Sequence, residues 1–356
     1  MAPENESVVR VKTPPLSLVR DLFLPAALLI LLATGPQLRA AEAVFSADGN
    51  RVWINPHQQA TLAYLDIEGS DGAAEADRLI DVGRAGGPLQ IQGLAISKSG
   101  NVLMASVDAV WAFNPASGNV VRVAKLPAGF EASDLAYETI SGAILVWGAF
   151  VGSDRSVLRS AAYRIARQTN RPVPVLIDGI GSWDNAAFDD AGHLFLGTGP
   201  DLWGGVLVPT ESGDAAQDFP WQLHAFRIAA IGTPVNGEDR DAMQVIHAIA
   251  ASGSSLLITI RGPEGSTMVR LARPALKATA TGVDRVTRLA DRWALQQKVI
   301  DSAQIIGKES SLPRLPIVAV SADGHRVVYQ TAATGIRRWW LADKMSAPTL
   351  LVEESD

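Results

Sequence analysis

Six short polar turns, each closed by a glycine and flanked by apolar runs, recur along the 356-residue chain. They are Ser46-Ala47-Asp48-Gly49, Ser97-Lys98-Ser99-Gly100, Thr139-Ile140-Ser141-Gly142, Asp189-Asp190-Ala191-Gly192, Ala250-Ala251-Ser252-Gly253 and Ser321-Ala322-Asp323-Gly324. Two apolar runs joined by such a turn read as a pair of adjacent strands, with glycine supplying the positive φ. The turn glycines stand 51, 42, 50, 61 and 71 residues apart. A unit of this length cannot cover its own apolar faces and has to stack on its neighbours.

Further strand-like runs extend each pair toward a four-stranded unit. The second unit is the clearest, with strands at 94–97, 101–106, 109–114 and 119–126 and a plain turn at Pro115-Ala116-Ser117-Gly118. The same frame places the first unit at 44–45, 51–54, 62–67 and 78–82, and the third at 135–137, 143–150, 157–165 and 173–177. In the fourth, strands at 186–188 and 193–197 precede a Gly/Asp/Pro-rich stretch, 199–220, that reads as a long surface loop before a third strand at 222–228. The fifth has 247–250, 255–260, 267–271 and 285–289; the sixth has 317–321, 326–331, 335–341 and 349–352. An all-β chain built this way predicts a six-bladed β-propeller of four-stranded antiparallel blades. Residues 291–298 have helical character, so 291–316 is an insertion or, in the alternative, a degenerate blade that makes seven. An open ring would leave sheet edges exposed. A strand from 39–44 laid outside the last strand, at Leu350-Leu351-Val352, is the closure the sequence suggests.

Residues 1–43 read as a secretory signal. Arg10, Lys12 and Arg20 precede an apolar run at 22–34 broken only by Pro25, and small residues follow with cleavage candidates at Leu38-Arg39-Ala40 and Ala41-Glu42-Ala43. The run is short for a membrane span of about 20 residues; retention as a membrane anchor is the alternative. A single domain, 44–356, is then expected in the periplasm or outside the cell, as a monomer with no membrane contact after cleavage. The chain has no cysteine, which removes disulfides, thiolate metal sites and thiol nucleophiles. A net charge of −6 without a Lys/Arg block argues against a nucleic-acid partner.

Candidate chemistry divides between the two faces of the ring. Asp48, Asp189, Asp190 and Asp323 lie in the glycine-closed turns, where a short carboxylate bonds the turn backbone. Eight residues before the turn glycines, at the starts of first strands, stand Gln92, Asp134 and Asp184, with Asn185 beside the last. Eight residues after them stand His57, Asp108 and Arg261. Polar groups converging on an axial mouth can bind a cation, a sugar or an amine; the plainer alternative is that each caps a loop or meets channel water. Trp183, Trp203 and Trp221 fall in and around the 199–220 stretch, where they either stack on a ligand or pack between blades. No G-x-S-x-G, G-x-x-x-x-G-K-[ST] or H-E-x-x-H motif is present.

Ser-Ala-Asp-Gly-(Asn/His)-Arg-Val at 46–52 and 321–327, with Ala187-Phe188-Asp189-Asp190-Ala191-Gly192-His193-Leu194, resembles the exported bacterial β-propellers of the NHL, YncE-like and SMP-30/gluconolactonase-like groups. The resemblance implies the fold. Gluconolactonase-type members hold a divalent cation at the channel with Glu, Asn and Asp side chains, whereas no first-strand start here carries the Glu. The expected function is a non-catalytic propeller presenting its channel face to a periplasmic protein or glycan. The alternatives are a lactonase-type hydrolase dependent on a divalent cation, with Asp134, Asp184 and Asn185 as ligands, and a redox or quinone-associated subunit. No cofactor is expected, apart from the alternative of a cation such as Ca²⁺ at the channel mouth.

Overall fold

Strands buried on both faces set the layout. In a computed structural model, Ala40–Asp356 forms one compact unit. The structure describes residues 42–55, 60–67, 79–211, 213–231, 245–252, 255–262, 265–273, 278–279, 282–283, 304–309, 318–321, 326–333, 336–343 and 349–355.

The strands follow one another as antiparallel meanders. The first sheet is β1 (Glu42–Phe45), β2 (Arg51–Asn55), β3 (Thr61–Asp66) and β4 (Leu79–Asp81). The second is β5 (Gly93–Ile96), β6 (Val102–Ala105), β7 (Ala109–Phe113) and β8 (Val120–Lys125). Two more meanders are β9 (Phe130–Tyr137), β10 (Ile144–Val151), β11 (Val157–Ile165) and β12 (Pro172–Asp178), and β13 (Asn185–Phe188), β14 (His193–Thr198), β15 (Asp201–Pro209) and β16 (Trp221–Ala230). These two merge into one eight-stranded sheet, because β12 and β16 pair in parallel over Val175–Asp178 and Trp221–His224. After them come β17 (Val245–Ser252), β18 (Ser255–Gly262) and β19 (Gly265–Ala272). A small hairpin of β20 (Ala278–Thr279) and β21 (Gly282–Val283) intervenes before β22 (Gln304–Glu309) pairs with β19. The last sheet is β23 (Val318–Val320), β24 (Arg326–Ala333), β25 (Ile336–Asp343) and β26 (Thr349–Ser355).

Burial explains the composition of these strands. All four residues of β6 and the last four of β2 are buried, so both faces are covered and the run is apolar throughout rather than alternating. The outer strands β4 and β8 are largely exposed. First strands touch in cyclic order: β1 meets β5, β5 meets β9, β9 meets β13, β13 meets β17, β17 meets β23, and β23 meets β1. The apolar clusters follow the same cycle. Trp53 and Leu62 pack on Val102, Met104 and Phe113, and Leu103 and Val110 on Leu135 and Val146. Leu145 and Trp147 pack on Leu194, Leu196 and Leu223, and Phe195 and Leu202 on Ile246, Leu256 and Ile258. Leu257 and Met268 share a cluster with Val327 and Tyr329. Ala43, Phe45, Val52 and Ile54 join Val328 to complete the circuit.

Four sequence expectations are corrected. Residues 199–220 are not a loop: β15 occupies 201–209, and a short helix α1 (Asp214–Asp218) follows. The third strand of that sheet is therefore β15, and 222–228 belongs to the fourth. Gly204 and Gly205 made the run look like a turn, yet a Cβ on Gly205 would sit 2.7 Å from the His224 carbonyl oxygen. The glycine there permits close strand packing. The fourth strand of the fifth sheet is β22, not 285–289, so part of the 291–316 segment completes that sheet; 285–289 and 291–298 lie outside the described residues. Closure does not use a donated N-terminal strand either. Residues 42–45 pair with β2, and the last sheet takes its outer strand, β26, from the C-terminus. Ala43 and Phe45 are buried in the cluster with Val328, and an outermost position would return them to water.

Gly179, just past the end of β12, fits closely against β16. Its φ is 87°, and a Cβ would lie 2.2 Å from the Ala225 carbonyl oxygen in β16. Gly179→Ala is expected to cost about 1–3 kcal/mol in urea unfolding. Gly86→Ala, at φ 80° but with open space around it, should cost about 1 kcal/mol. Equal losses would contradict the steric role of Gly179.

Candidate functional site at the mouth of the ring

The glycine-closed turns use their carboxylates locally. Asp48 accepts the Asn50 N–H at 3.1 Å and the Ser46 hydroxyl proton, and the Ser46 bond first of all holds its carboxyl below the usual range. Asp189 is buried and accepts the N–H groups of Ala191 at 2.9 Å and His193 at 2.8 Å. Its second oxygen meets His193 Nδ1 at 3.0 Å and Arg273 Nη1 at 2.9 Å, and Arg273 also binds Asp190. Arg273 follows β19, so this turn is tied to the neighbouring sheet. Asp189 and Asp190 are thus held by a cation from the protein itself. Asp323 lies outside the described residues.

The mouth is built where first strands approach one another. Gln92, half-buried, precedes β5 and donates its N–H to the Ala105 carbonyl at 2.7 Å. Asp134 lies inside β9, four residues beyond the strand's start, beside the register shift between Trp147 and Gly148. Its Oδ1 accepts the Leu135 N–H at 2.6 Å. The same carboxylate rests on Gly93, where an added Cβ would come within 2.1 Å of Oδ1 and 2.9 Å of the Asp134 Cα. Asp184 precedes β13, gives its N–H to the Gly197 carbonyl at 2.9 Å, and exposes its side chain. Asn185 donates Nδ2 to the Ile246 carbonyl at 3.3 Å, crossing to the next first strand.

The remaining candidates separate. Asp108 is exposed in the turn between β6 and β7, where it accepts the Ser106 hydroxyl at 3.3 Å. Arg261 stands in β18 opposite Val245 and Ser266. His57 lies outside the described residues. Trp183 is buried against Trp147, with ring centroids 6.2 Å apart. Trp203 and Trp221 pack partly buried on the same cluster, and the Arg164 guanidinium lies 3.9 Å over the Trp221 ring. These three tryptophans therefore fill the space between the third and fourth meanders. Among the described residues, no three His, Cys, Asp or Glu side chains gather as a metal-binding group.

Two residues of the mouth were not singled out from the sequence. Asn55 is buried and donates Nδ2 to the Ile91 carbonyl at 3.0 Å, the counterpart in the first sheet of the Asn185 tie. Gly93 admits the Asp134 carboxylate. An amide at a strand end, and a glycine at the head of an apolar strand, are the only signals the sequence gives for either.

Solved structures share this architecture. The chain aligns with a calcium-binding protein, regucalcin, from Agrobacterium tumefaciens at TM-score 0.50 and 14% identity over 83% of each chain. A putative gluconolactonase aligns at TM-score 0.51 and 10% identity, over 89% of this chain and 91% of the other. TolB from Acinetobacter baumannii aligns at TM-score 0.51 and 11% identity, over 97% of this chain and 72% of that one. The fold is a β-propeller. At these identities the likeness extends to the fold alone. No family model and no curated protein matches the sequence.

Gly93→Ala is expected to cost about 1–3 kcal/mol through overpacking, with part of the loss recovered in the Asp134→Ala background. Chemical denaturation of the four variants of this cycle measures it. A loss that Asp134→Ala leaves unchanged would contradict the contact between β5 and the Asp134 carboxylate.

Proposed function

We propose that the chain is an exported six-bladed β-propeller that binds a protein or glycan at the mouth where Gln92, Asp134 and Asp184 stand. The cyclic contact of six first strands supports the blade count. In this reading β12 and β16 are the outer strands of two adjacent blades, zipped together. Among the described residues, no helix is long and apolar enough to cross a membrane.

One observation carries the choice of face. Three consecutive blades bring a polar residue to the start or inner half of their first strands, and one of them, Asp184, keeps its carboxylate exposed. The neighbouring polar groups, Asn55 and Asn185, fasten blade to blade. A mouth stiffened in this way holds its free groups in place without a large ordering cost on binding.

A glycan array and affinity capture on the purified chain, followed by titration of the hit, test this proposal. Asp184→Ala should weaken binding at least ten-fold, about 1.4 kcal/mol, while stability changes by less than about 0.5 kcal/mol. Affinity unmoved by both Asp184→Ala and Gln92→Ala would overturn the assignment to this face. A melting rise with Ca²⁺ that Asp184→Asn abolishes would place a cation at Asp134, Asp184 and Asn185 instead.

A further inference from the structure

The outer flank of the third blade is divided. β11 pairs with β10 along its whole length, from Val157 to Ile165. It pairs with β12 only over Tyr163–Ile165. The partner residues there are Pro172, Val173 and Pro174, and neither proline has an N–H to give to a ladder. Beyond Pro174, β12 crosses to β16, and Gly179 fixes it against Ala225. The separation is thus part of the covalent and packed structure of β12. Among the described residues, no strand pairs with 157–162 on that side.

The separation opens a cleft of about 470 Å³. Arg159 and Tyr163 stand on one wall, Pro174, Ile177 and Ile180 on the other, and Phe219 reaches in from the segment ahead of β16. Val157 and Leu158, at the free end of β11, are each 68% exposed. Such an edge is a hazard for a monomer unless something covers it.

We propose that this flank is an acceptor for an extended segment of a partner protein, which adds as a strand along 157–162 and places a carboxylate on Arg159. Three features select that occupant. Along a strand edge, alternate residues present both N–H and C=O, and a polypeptide in extended form repeats matching groups at the same spacing. The walls of the cleft are otherwise mostly apolar, so they favour apolar side chains at alternate positions of the incoming strand. Arg159 is the only charged residue of the lining. Its guanidinium lies 4.4 Å from the centre of the Phe150 ring and makes no ion pair among the described residues. A second copy of this chain is a poorer occupant. Antiparallel pairing of two 157–162 edges, centred between 159 and 160, sets each Arg159 opposite a Ser160 with the two arginines on opposite faces, so neither guanidinium meets a carboxylate.

The test is panning of a random nine-residue peptide library on the full chain, followed by titration of the enriched peptides made synthetically. Enriched sequences should alternate apolar residues and carry Asp, Glu or a terminal carboxylate. Arg159→Glu should weaken them at least ten-fold, with an unchanged melting curve showing that the variant is folded. N-methylation of alternate backbone amides in the peptide should abolish binding, a result that needs no variant of the protein. No enrichment, or binding indifferent to both changes, overturns the proposal. A concentration-dependent dimer in sedimentation that the enriched peptides dissociate would assign the edge to self-pairing and overturn it as well.

Discussion

A sheet with two apolar faces has to be covered on both, and in an open stack the two end sheets would each leave one face in water. Fully burying a Leu, Val or Phe side chain is worth about 1.5–3 kcal/mol, and each interface between blades holds several. Curling the stack until the first sheet meets the last recovers that burial for the end faces. The cluster of Ala43, Phe45, Val52 and Ile54 with Val328 is where this happens. It also explains why β1 lies innermost in its own sheet rather than outermost in the last: both of its inward side chains are needed at this junction. Closure here rests on side-chain packing, with each terminus building its own blade.

The same constraint governs the polar residues near the axis. First strands crowd toward the axis, so their approach is limited by whatever stands on them. Gly93 yields space to Asp134, and Asn55 and Asn185 reach across to backbone carbonyls of the next blade. Polar residues at this end therefore divide into those that hold the ring and those that face outward. Asp189 and Asp190, on the opposite face, belong to the first kind, satisfied by the turn backbone and Arg273. An adjacent acidic pair in a sequence carries no information about which kind it is.

Much of the fold was legible because inner strands and their turns follow local rules. The glycine turns at 49, 100, 142 and 192 all take positive φ, and the four strands of the second sheet fall within a residue or two of their expected bounds. Legibility failed at third and fourth strands, away from the glycine-closed turns. β15 was hidden by a glycine pair, of which Gly205 packs against the His224 carbonyl, and β22 lies far along the chain from its partner β19. The crossing of β12 to β16 was equally invisible, since Pro172 and Pro174 tell where a ladder weakens but not where the strand goes next. At the candidate site, residue type and repeat position singled out Asp134 and Asp184. Their surroundings depended on contacts between blades, which no single repeat contains.

The central claim is that the first and last blades share one core. A double-mutant cycle of Phe45→Ala and Val328→Ala, measured by equilibrium unfolding, reports on that contact directly. The shared core predicts a coupling of about 0.5–3 kcal/mol between the two sites. Losses that add to within about 0.3 kcal/mol would mean that the two blades do not touch, and the closed ring would be wrong.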